Sequence, residues 1–412
     1  MLECYFEAPF TLDRLRSGPS GPFIDSFASS LKAAEYSWWI ARVFLRSAAH
    51  VGCYAEAQGG GLYDLDWSAL AAFRRHLPTC SCPDSHRGTT DDVVRGAKYF
   101  LTHLREAGVL DIPATDEVGK KAPALVLAFQ HWLRQHRGAA DSTVNHYGHA
   151  ASDLVASVGD DPSAYDALSL RQFVLDRSQR QGPGATKTLI SGLRMFLRYL
   201  VSQGKCRSGL DQAIPAVACW RLATLPRSLP NHDVQEILDA CDATSPTGLR
   251  DRAIILLLAR LGLRASDVTA LCIDDIDWKD GSILVSGKSR RQVRLPLSQE
   301  VGDAILGYIE HRPKAEAREV FLRSVAPFRP FRSGSSASQV VARAMRRSGI
   351  SAPCYGAHVL RHTAATEMLR QGVSLYEIGA VLRHRSLEMT AYYAKVDVAL
   401  LKQVAQPWPE VP

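Results

Sequence analysis

The sequence predicts a mainly α-helical protein with one small β-hairpin. Apolar residues fill 253–263 and recur at helical spacing in 187–200, which indicates helices. Two short runs, 281–285 and 293–297, read as strands around a polar turn. Polar linkers punctuated by proline, 111–121 and 207–227, separate the helical parts. We therefore predict helical modules at 1–112 and 122–206, followed by a mainly α domain with the hairpin at 227–412.

The charge balance is basic, which suits a polyanionic partner without proving one. Lys plus Arg exceed Asp plus Glu by seven, and the pI is about 8.9; the same charge also serves solubility. The 46% of hydrophobic residues argues against large-scale disorder. Residues 1–14 lack a basic segment followed by an apolar one, and Arg260 interrupts the short run 254–263. We expect no signal peptide, no membrane span and a cytoplasmic, nucleoid-associated protein.

The nine cysteines do not follow a secreted disulfide pattern, because their number is odd and they are scattered from Cys4 to Cys354. Cys80 and Cys82, with His86, lie in a loop rich in proline and serine and invite comparison with a metal site. A fourth ligand at the usual spacing is missing. We interpret the cysteines as free thiols of a reducing compartment and predict no metal.

The N-terminal half contains an internal repeat. Residues 96–108 align with 192–204 without a gap. Further matches are Tyr63-Asp64 with Tyr165-Asp166, Phe73 with Phe173, Phe27 with Phe129, and Leu31 with Leu133. We predict two related helical modules, at about 22–110 and about 122–206.

The C-terminal part carries, in a fixed order, residue types suited to attack on a phosphodiester. These are Arg264, Lys288 in the hairpin turn, His358 and Arg361 in an H-x-x-R box, His384, and Tyr393 nine residues later. Arginine donates two hydrogen bonds to phosphate and keeps its charge. Imidazole moves protons, and a tyrosine can hold a strand covalently. One H-x-x-R box alone is weak, but the ordered set is specific.

This set, within about 247–396, resembles the tyrosine recombinase (phage integrase) family, and its spacing is similar to that of Xer-type members. The resemblance implies one or two helical core-binding modules of the SAM-like kind, followed by a catalytic domain. It also implies roles for single residues. Arg264 and Arg361 would clamp the scissile phosphate, His358 would relay the proton of the nucleophile, His384 would donate to a nonbridging oxygen, Lys288 would protonate the departing 5′ hydroxyl, and Tyr393 would form a 3′-phosphotyrosine. No cofactor or metal is implied.

Three residues near this set have two interpretations each. Tyr392 competes with Tyr393 for the nucleophile, and the spacing from His384 favours Tyr393. Asp267 is either an ordinary exposed partner of Arg264, one helical turn away, or the residue that fixes its rotamer; its place in the family's first box favours the second. The family usually has glycine where this chain has Arg383, so we expect a differently shaped turn before His384.

DNA contacts are predicted outside the catalytic set as well. Lys187, Arg194 and Arg198 form a stripe on the last helix of the second module, opposite its apolar face. Such a stripe is often only solvated surface, but beside this catalytic domain we favour DNA contact. Arg290 and Arg291 in the hairpin turn are expected to join them. The first module would bind further DNA sites or organise a synapse. Residues 398–404 would pack on a neighbouring protomer or fold back onto their own chain.

The resemblance implies a site-specific DNA recombinase that acts on double-stranded DNA as a homotetramer and proceeds through a Holliday junction. Length and the duplicated module favour integration or transposition of a mobile element, with other recombinases of that element as further partners. Dimer resolution and DNA inversion stay open as alternatives. So do relaxation of the type IB topoisomerase kind and a catalytically inactive DNA-binding accessory protein.

Overall fold

A computed structural model of the protein describes residues 1–80, 82, 88–113, 122–217, 225–286, 292–352, 354–384 and 386–396. The α-helices are α1 Pro9–Ser17, α2 Gly21–Ala33, α3 Trp38–Ala57, α4 Trp67–His76, α5 Thr90–Glu106, α6 Ala124–Arg137, α7 Asp141–Val158, α8 Ala167–Arg180, α9 Pro183–Ser202, α10 Leu210–Ala213, α11 Asn231–Asp239, α12 Pro246–Arg260, α13 Ala265–Thr269, α14 Gln299–His311, α15 Gly334–Arg347, α16 Ala357–Arg370, α17 Leu375–Val381 and α18 Leu387–Ala391. The strands are β1 Ile276–Asp277, β2 Ser282–Ser286 and β3 Gln292–Pro296. None of the described helices is long and apolar enough to cross a membrane.

The prediction of a mainly α fold with a small sheet is confirmed. The sheet is antiparallel in the order β1-β2-β3, with Ile283 opposite Leu295 and Val285 opposite Val293. Strands β2 and β3 correspond to the two predicted runs, whereas β1 was missed because a two-residue strand shows no periodicity. The predicted turn residues Lys288, Arg290 and Arg291 lie outside the described residues.

The described chain forms two compact units. One contains residues 1–65, 72–110 and 224–412, and the other contains 66–71 and 111–223. Within the larger unit, α12 is the central helix of the C-terminal core, because residues 254–258 are fully buried. Ser245 caps its N-terminus by accepting a hydrogen bond from Gly248, and Pro246 occupies its first turn. The predicted boundaries at 112, 122, 206 and 227 stay a prediction.

The two repeats bury matching residues. In α5 and α9 the matched pairs are Ala97 and Leu193, Phe100 and Phe196, Leu101 and Leu197, and Leu104 and Leu200, all buried. Both helices also contain a glycine at a close helix crossing. A Cβ on Gly96 would lie 2.8 Å from the Cβ of Ser47 in α3, and a Cβ on Gly192 would lie 3.0 Å from the Cβ of Ala150 in α7. Each glycine thus lets its helix approach its partner closely, at the same position of the repeat.

Candidate active site

Two arginines of the larger unit donate to backbone carbonyls, and two of these carbonyls belong to consecutive residues. Arg361, in α16, is 5% exposed and donates from Nη1 to the carbonyl of Gly262 and from Nη2 to that of Leu382. Arg264 donates from Nη2 to the carbonyl of Arg383 at 2.8 Å. Burial, and next the charge of Arg264, lower the pKa of Arg361 to about 10. The Arg361 guanidinium therefore stays charged at neutral pH. Both arginine side chains are positioned before any anion arrives.

Gly262 allows this arrangement. Its φ is +58°, in the left-handed region that favours glycine. A Cβ there would lie 2.6 Å from Cδ2 of Leu382. The chain consequently turns sharply after α12 and delivers Arg264 to the first turn of α13.

Tyr393 is buried beside α16, the helix that contains Arg361, and a histidine contacts its hydroxyl. It is 3% exposed and packs in a small apolar cluster with Ala365, Ile378 and Leu382. Its Oη lies 2.8 Å from Nδ1 of His362. Burial raises the pKa of Tyr393 to about 12. The phenol is protonated at neutral pH.

His362 can accept the proton of that phenol. Burial, and next the neighbouring His358, lower the pKa of His362 to about 4. The imidazole is therefore neutral at physiological pH, and in the tautomer with its proton on Nε2, its Nδ1 accepts from the phenolic O–H. The sequence-based set of catalytic residues does not include His362. It lies one helical turn after His358 and so on the same face of α16, which is the signal that could have identified it.

His358 lies against His362 with the ring centroids 4.2 Å apart. The residue is exposed. Neighbouring protein displaces enough of its water to lower its pKa, and the charge of Arg361 adds to this effect. The sequence assigned the proton relay to His358; among the described contacts, the imidazole that touches the hydroxyl of Tyr393 belongs to His362.

His384 is oriented by a buried threonine. Its Nδ1 lies 2.8 Å from Oγ1 of Thr390, which is fully buried. The ring is nearly parallel to that of Tyr393, with centroids 6.3 Å apart. The histidine and the tyrosine are therefore neighbours at the site. No local pattern in the sequence marks Thr390 as the partner of His384.

Arg383 keeps the backbone shape of a glycine. Its φ is +54°, in the left-handed region that favours glycine. The expectation of a differently shaped turn before His384 stays a prediction. Its side chain is 8% exposed, and its Nη2 lies 2.5 Å from Oδ2 of Asp267, which is 3% exposed. Asp267 also accepts from the backbone N–H of Arg264 at 3.2 Å, whereas the Arg264 guanidinium is 4.0 Å away. The nearest cation to Asp267 is therefore Arg383.

Three other residues named by the sequence analysis, Tyr392, Arg194 and Arg198, have local partners. Tyr392 donates its hydroxyl to the carbonyl of Leu225 at 2.8 Å. Arg194 donates to the carbonyl of Ile214 at 2.9 Å, and Arg198 pairs with Asp211 at 2.8 Å, so both fasten α9 to the segment that follows it. Lys187 is exposed. Contact of this stripe with DNA stays a prediction.

Comparison with known proteins identifies the family. Residues 227–399 match the model of the phage integrase family. A protein of Sinorhizobium fredii named integrase/recombinase y4rA is 36% identical over 416 residues, covering 99% of both chains. The chain belongs to the phage integrase family. Members of this family cleave and rejoin DNA, and the chain is a tyrosine-type site-specific recombinase.

Other relatives share parts of the chain. The tyrosine recombinase XerD of Listeria monocytogenes is 27% identical and covers 68% of this chain and 96% of its own. The fold is similar to that of XerH recombinase bound to a difH substrate, with a TM-score of 0.54 at 18% identity over 85% of this chain and 99% of that one. A lambda integrase dimer bound to a core site gives 0.53 at 15% identity, over 80% and 93%. These structures agree with a helical N-terminal part and a family catalytic domain.

Proposed function

We propose that the protein integrates or transposes a mobile element by cutting DNA through a 3′-phosphotyrosine on Tyr393 and rejoining strands by way of a Holliday junction. The observation that carries this proposal is the hydroxyl of Tyr393 at 2.8 Å from Nδ1 of His362, on the helix that also carries Arg361. A nucleophile in contact with a base and next to fixed cations is the arrangement that transfer of a phosphoryl group requires.

The steps follow from the named groups. The oxygen of Tyr393 attacks the scissile phosphorus while His362 takes the phenolic proton, and His358 relays it outward. Arg264 and Arg361 neutralise the nonbridging oxygens, to which His384 also donates. The 5′ oxygen leaves with a proton from Lys288. The phosphodiester energy is kept in the phosphotyrosine, so rejoining needs no nucleotide, and this active site needs no metal.

The mobile-element role rests on similarity along the whole chain. Two proteins named integrase/recombinase match 99% of this chain, at 36% and 32% identity, whereas XerD of Listeria monocytogenes matches 68%. The extra module is thus shared with the integrase/recombinases. We propose double-stranded DNA at specific sites as the substrate, a homotetramer as the active assembly, and recombinases of the same element as partners.

The covalent step is tested with a suicide substrate nicked near the crossover and resolved on a denaturing gel. Tyr393→Phe removes only the hydroxyl, so specific binding should persist while the covalent adduct disappears. Tyr392→Phe is the matched control and should still form the adduct. An adduct that survives in the first variant and vanishes in the second would place the nucleophile on Tyr392.

The biological reaction is tested by trapping the covalent complex of the protein with its DNA. DNA bound covalently to the protein in its own cells is purified, and the attached ends are sequenced. Ends at both borders of an element that carries the gene support integration or transposition. A single chromosomal site without such borders would favour dimer resolution, and adducts without sequence preference would favour topoisomerase-like relaxation.

A further inference from the structure

Four metal-binding side chains converge in the first repeat, away from the residues of the active site. They are His50 in α3, His76 at the end of α4, and Cys80 and Cys82 in the segment that follows. One candidate ligand atom of each lies within 4.8 Å of all the others. The sequence interpretation considered only the two cysteines with His86, and His86 lies outside the described residues. His50 and His76 are 26 residues apart in the chain and belong to different helices. Their spacing in the sequence therefore does not show that they meet.

We propose that His50, His76, Cys80 and Cys82 bind one structural zinc ion. Zinc prefers tetrahedral sites of imidazole nitrogen and thiolate sulfur, with bonds of about 2.0–2.1 Å and about 2.3 Å, so its ligand atoms lie about 3.3–3.8 Å apart. Nε2 of His50 is 3.1 Å from Sγ of Cys80, and Nε2 of His76 is 3.5 Å from Sγ of Cys82. These two edges match such a tetrahedron within a few tenths of an ångström.

The surroundings favour a closed site over a cluster of surface thiols. His50 is 3% exposed and Cys80 is 6% exposed. The rings of Phe73 and Tyr54 pack against the two histidines, with centroids 4.9 Å from His50 and His76 respectively. His76 and Cys82 are half-buried. Two imidazoles and two thiols supply all four ligands, which leaves no open position for a substrate and indicates a structural role.

In the second repeat an ion pair links the helices that correspond to α3 and α4. Ser47 and Ala150 occupy the same place at the two glycine crossings. His50 lies three residues after Ser47, and the residue three positions after Ala150 is Asp153. Asp153 forms an ion pair at 2.9 Å with Arg177 of α8. An ion pair thus links α7 to α8, whereas in the first repeat the four-ligand cluster links α3 to α4 and to the segment before α5. A metal in the cluster would fasten the end of the short helix α4.

The test uses the full chain without an affinity tag. After dialysis, zinc is measured by mass spectrometry, and Co²⁺ is then exchanged into the protein. We expect about one zinc per chain and the intense visible bands of tetrahedral Co²⁺ bound to thiolate. Cys80→Ser and His50→Ala should each lower the retained zinc roughly tenfold or more. Cys4→Ser, an exposed thiol elsewhere in the same module, should keep the wild-type content.

A second readout does not depend on folded variants. Because the metal binds the folded module, a strong chelator should lower the Tm of the wild-type protein, and added zinc should restore it. A wild-type protein that retains no zinc, takes up Co²⁺ only as a weakly coloured octahedral ion, and keeps its Tm with chelator would overturn the proposal. Zinc that stays at wild-type level in both ligand variants would also overturn it.

Discussion

The guanidinium of Arg383 lies 2.5 Å from the carboxylate of Asp267, and both side chains are more than nine-tenths buried. Asp267 in turn accepts from the backbone of Arg264, while the carbonyl of Arg383 accepts from the Arg264 guanidinium. The two members of one buried ion pair therefore contact a predicted phosphate-binding arginine, Asp267 at its backbone N–H and Arg383 at its guanidinium. Breaking a buried pair leaves a charge without compensation, which is strongly destabilising.

Arg383→Gly should destabilise the protein and slow cleavage, because it removes the partner of Asp267 while it keeps the left-handed turn. Removing Arg383 in an Asp267→Asn background should cost less, with a coupling of roughly 0.5–3 kcal/mol. Arg383→Ala should be less stable than Arg383→Gly by about 1 kcal/mol, because alanine is strained at φ +54°. Urea unfolding of the single and double variants measures both. Additive effects of Arg383→Gly and Asp267→Asn would show that the pair does not act as a unit.

Arg264→Ala and Arg361→Ala should each slow single-turnover cleavage by roughly 10²–10³, the scale for one lost donor to a developing charge. Arg361→Lys should not restore the rate, because an ammonium group lacks the planar fork that reaches two carbonyls. The control is Arg260→Ala, which removes an exposed pair with Glu300 and should leave the rate nearly unchanged. Gel-shift binding and circular dichroism verify each variant. Near wild-type cleavage by either alanine variant would refute the clamp.

His362 should make the protein less stable in mild acid. Its pKa is about 4 in the folded chain against an ordinary 6.5. Between these values the unfolded chain binds a proton that the folded chain does not. The contribution of neutral His362 to the free energy of unfolding is therefore fully present above pH 6.5 and is lost as the pH falls towards 4. His362→Gln should flatten the fall in unfolding free energy between pH 7 and 4.5. His311→Gln, which changes an exposed histidine, should keep the wild-type slope. Identical slopes for wild type and His362→Gln would contradict the shift.

The glycines at the two helix crossings should resist substitution. Gly96→Ala should cost roughly 1–3 kcal/mol, because its Cβ would meet Ser47 at 2.8 Å and the Cα of Phe44 at 2.9 Å. Gly192→Ala should cost less, since its closest contact is 3.0 Å. Gly184→Ala in α9 has no neighbour within 4 Å and should be neutral or stabilising by about 0.5–1 kcal/mol. Thermal unfolding gives the order, and a stabilised Gly96→Ala would show that the crossing is not tight.

The sequence by itself determined the features encoded in local pattern and order. Two short apolar runs predicted strands β2 and β3, and helical spacing predicted the buried face of α9 that carries Phe196. The order from Arg264 to Tyr393 was enough for the family. The strand and helix signals each lie within a short window, where backbone geometry alone decides which residues share a face.

Tertiary structure alone decided which distant side chains meet. The contact of His362 with Tyr393 joins residues 31 apart, and the pair of Arg383 with Asp267 joins residues 116 apart. The convergence of His50 with Cys80 depends in the same way on how α3 packs against α4 and the segment after it. Periodicity states that a helix has a buried face but not which element covers it, because that choice is made by packing across the whole core. The partners of the nucleophile, of the turn before His384 and of the cysteine pair therefore emerged only from the folded chain.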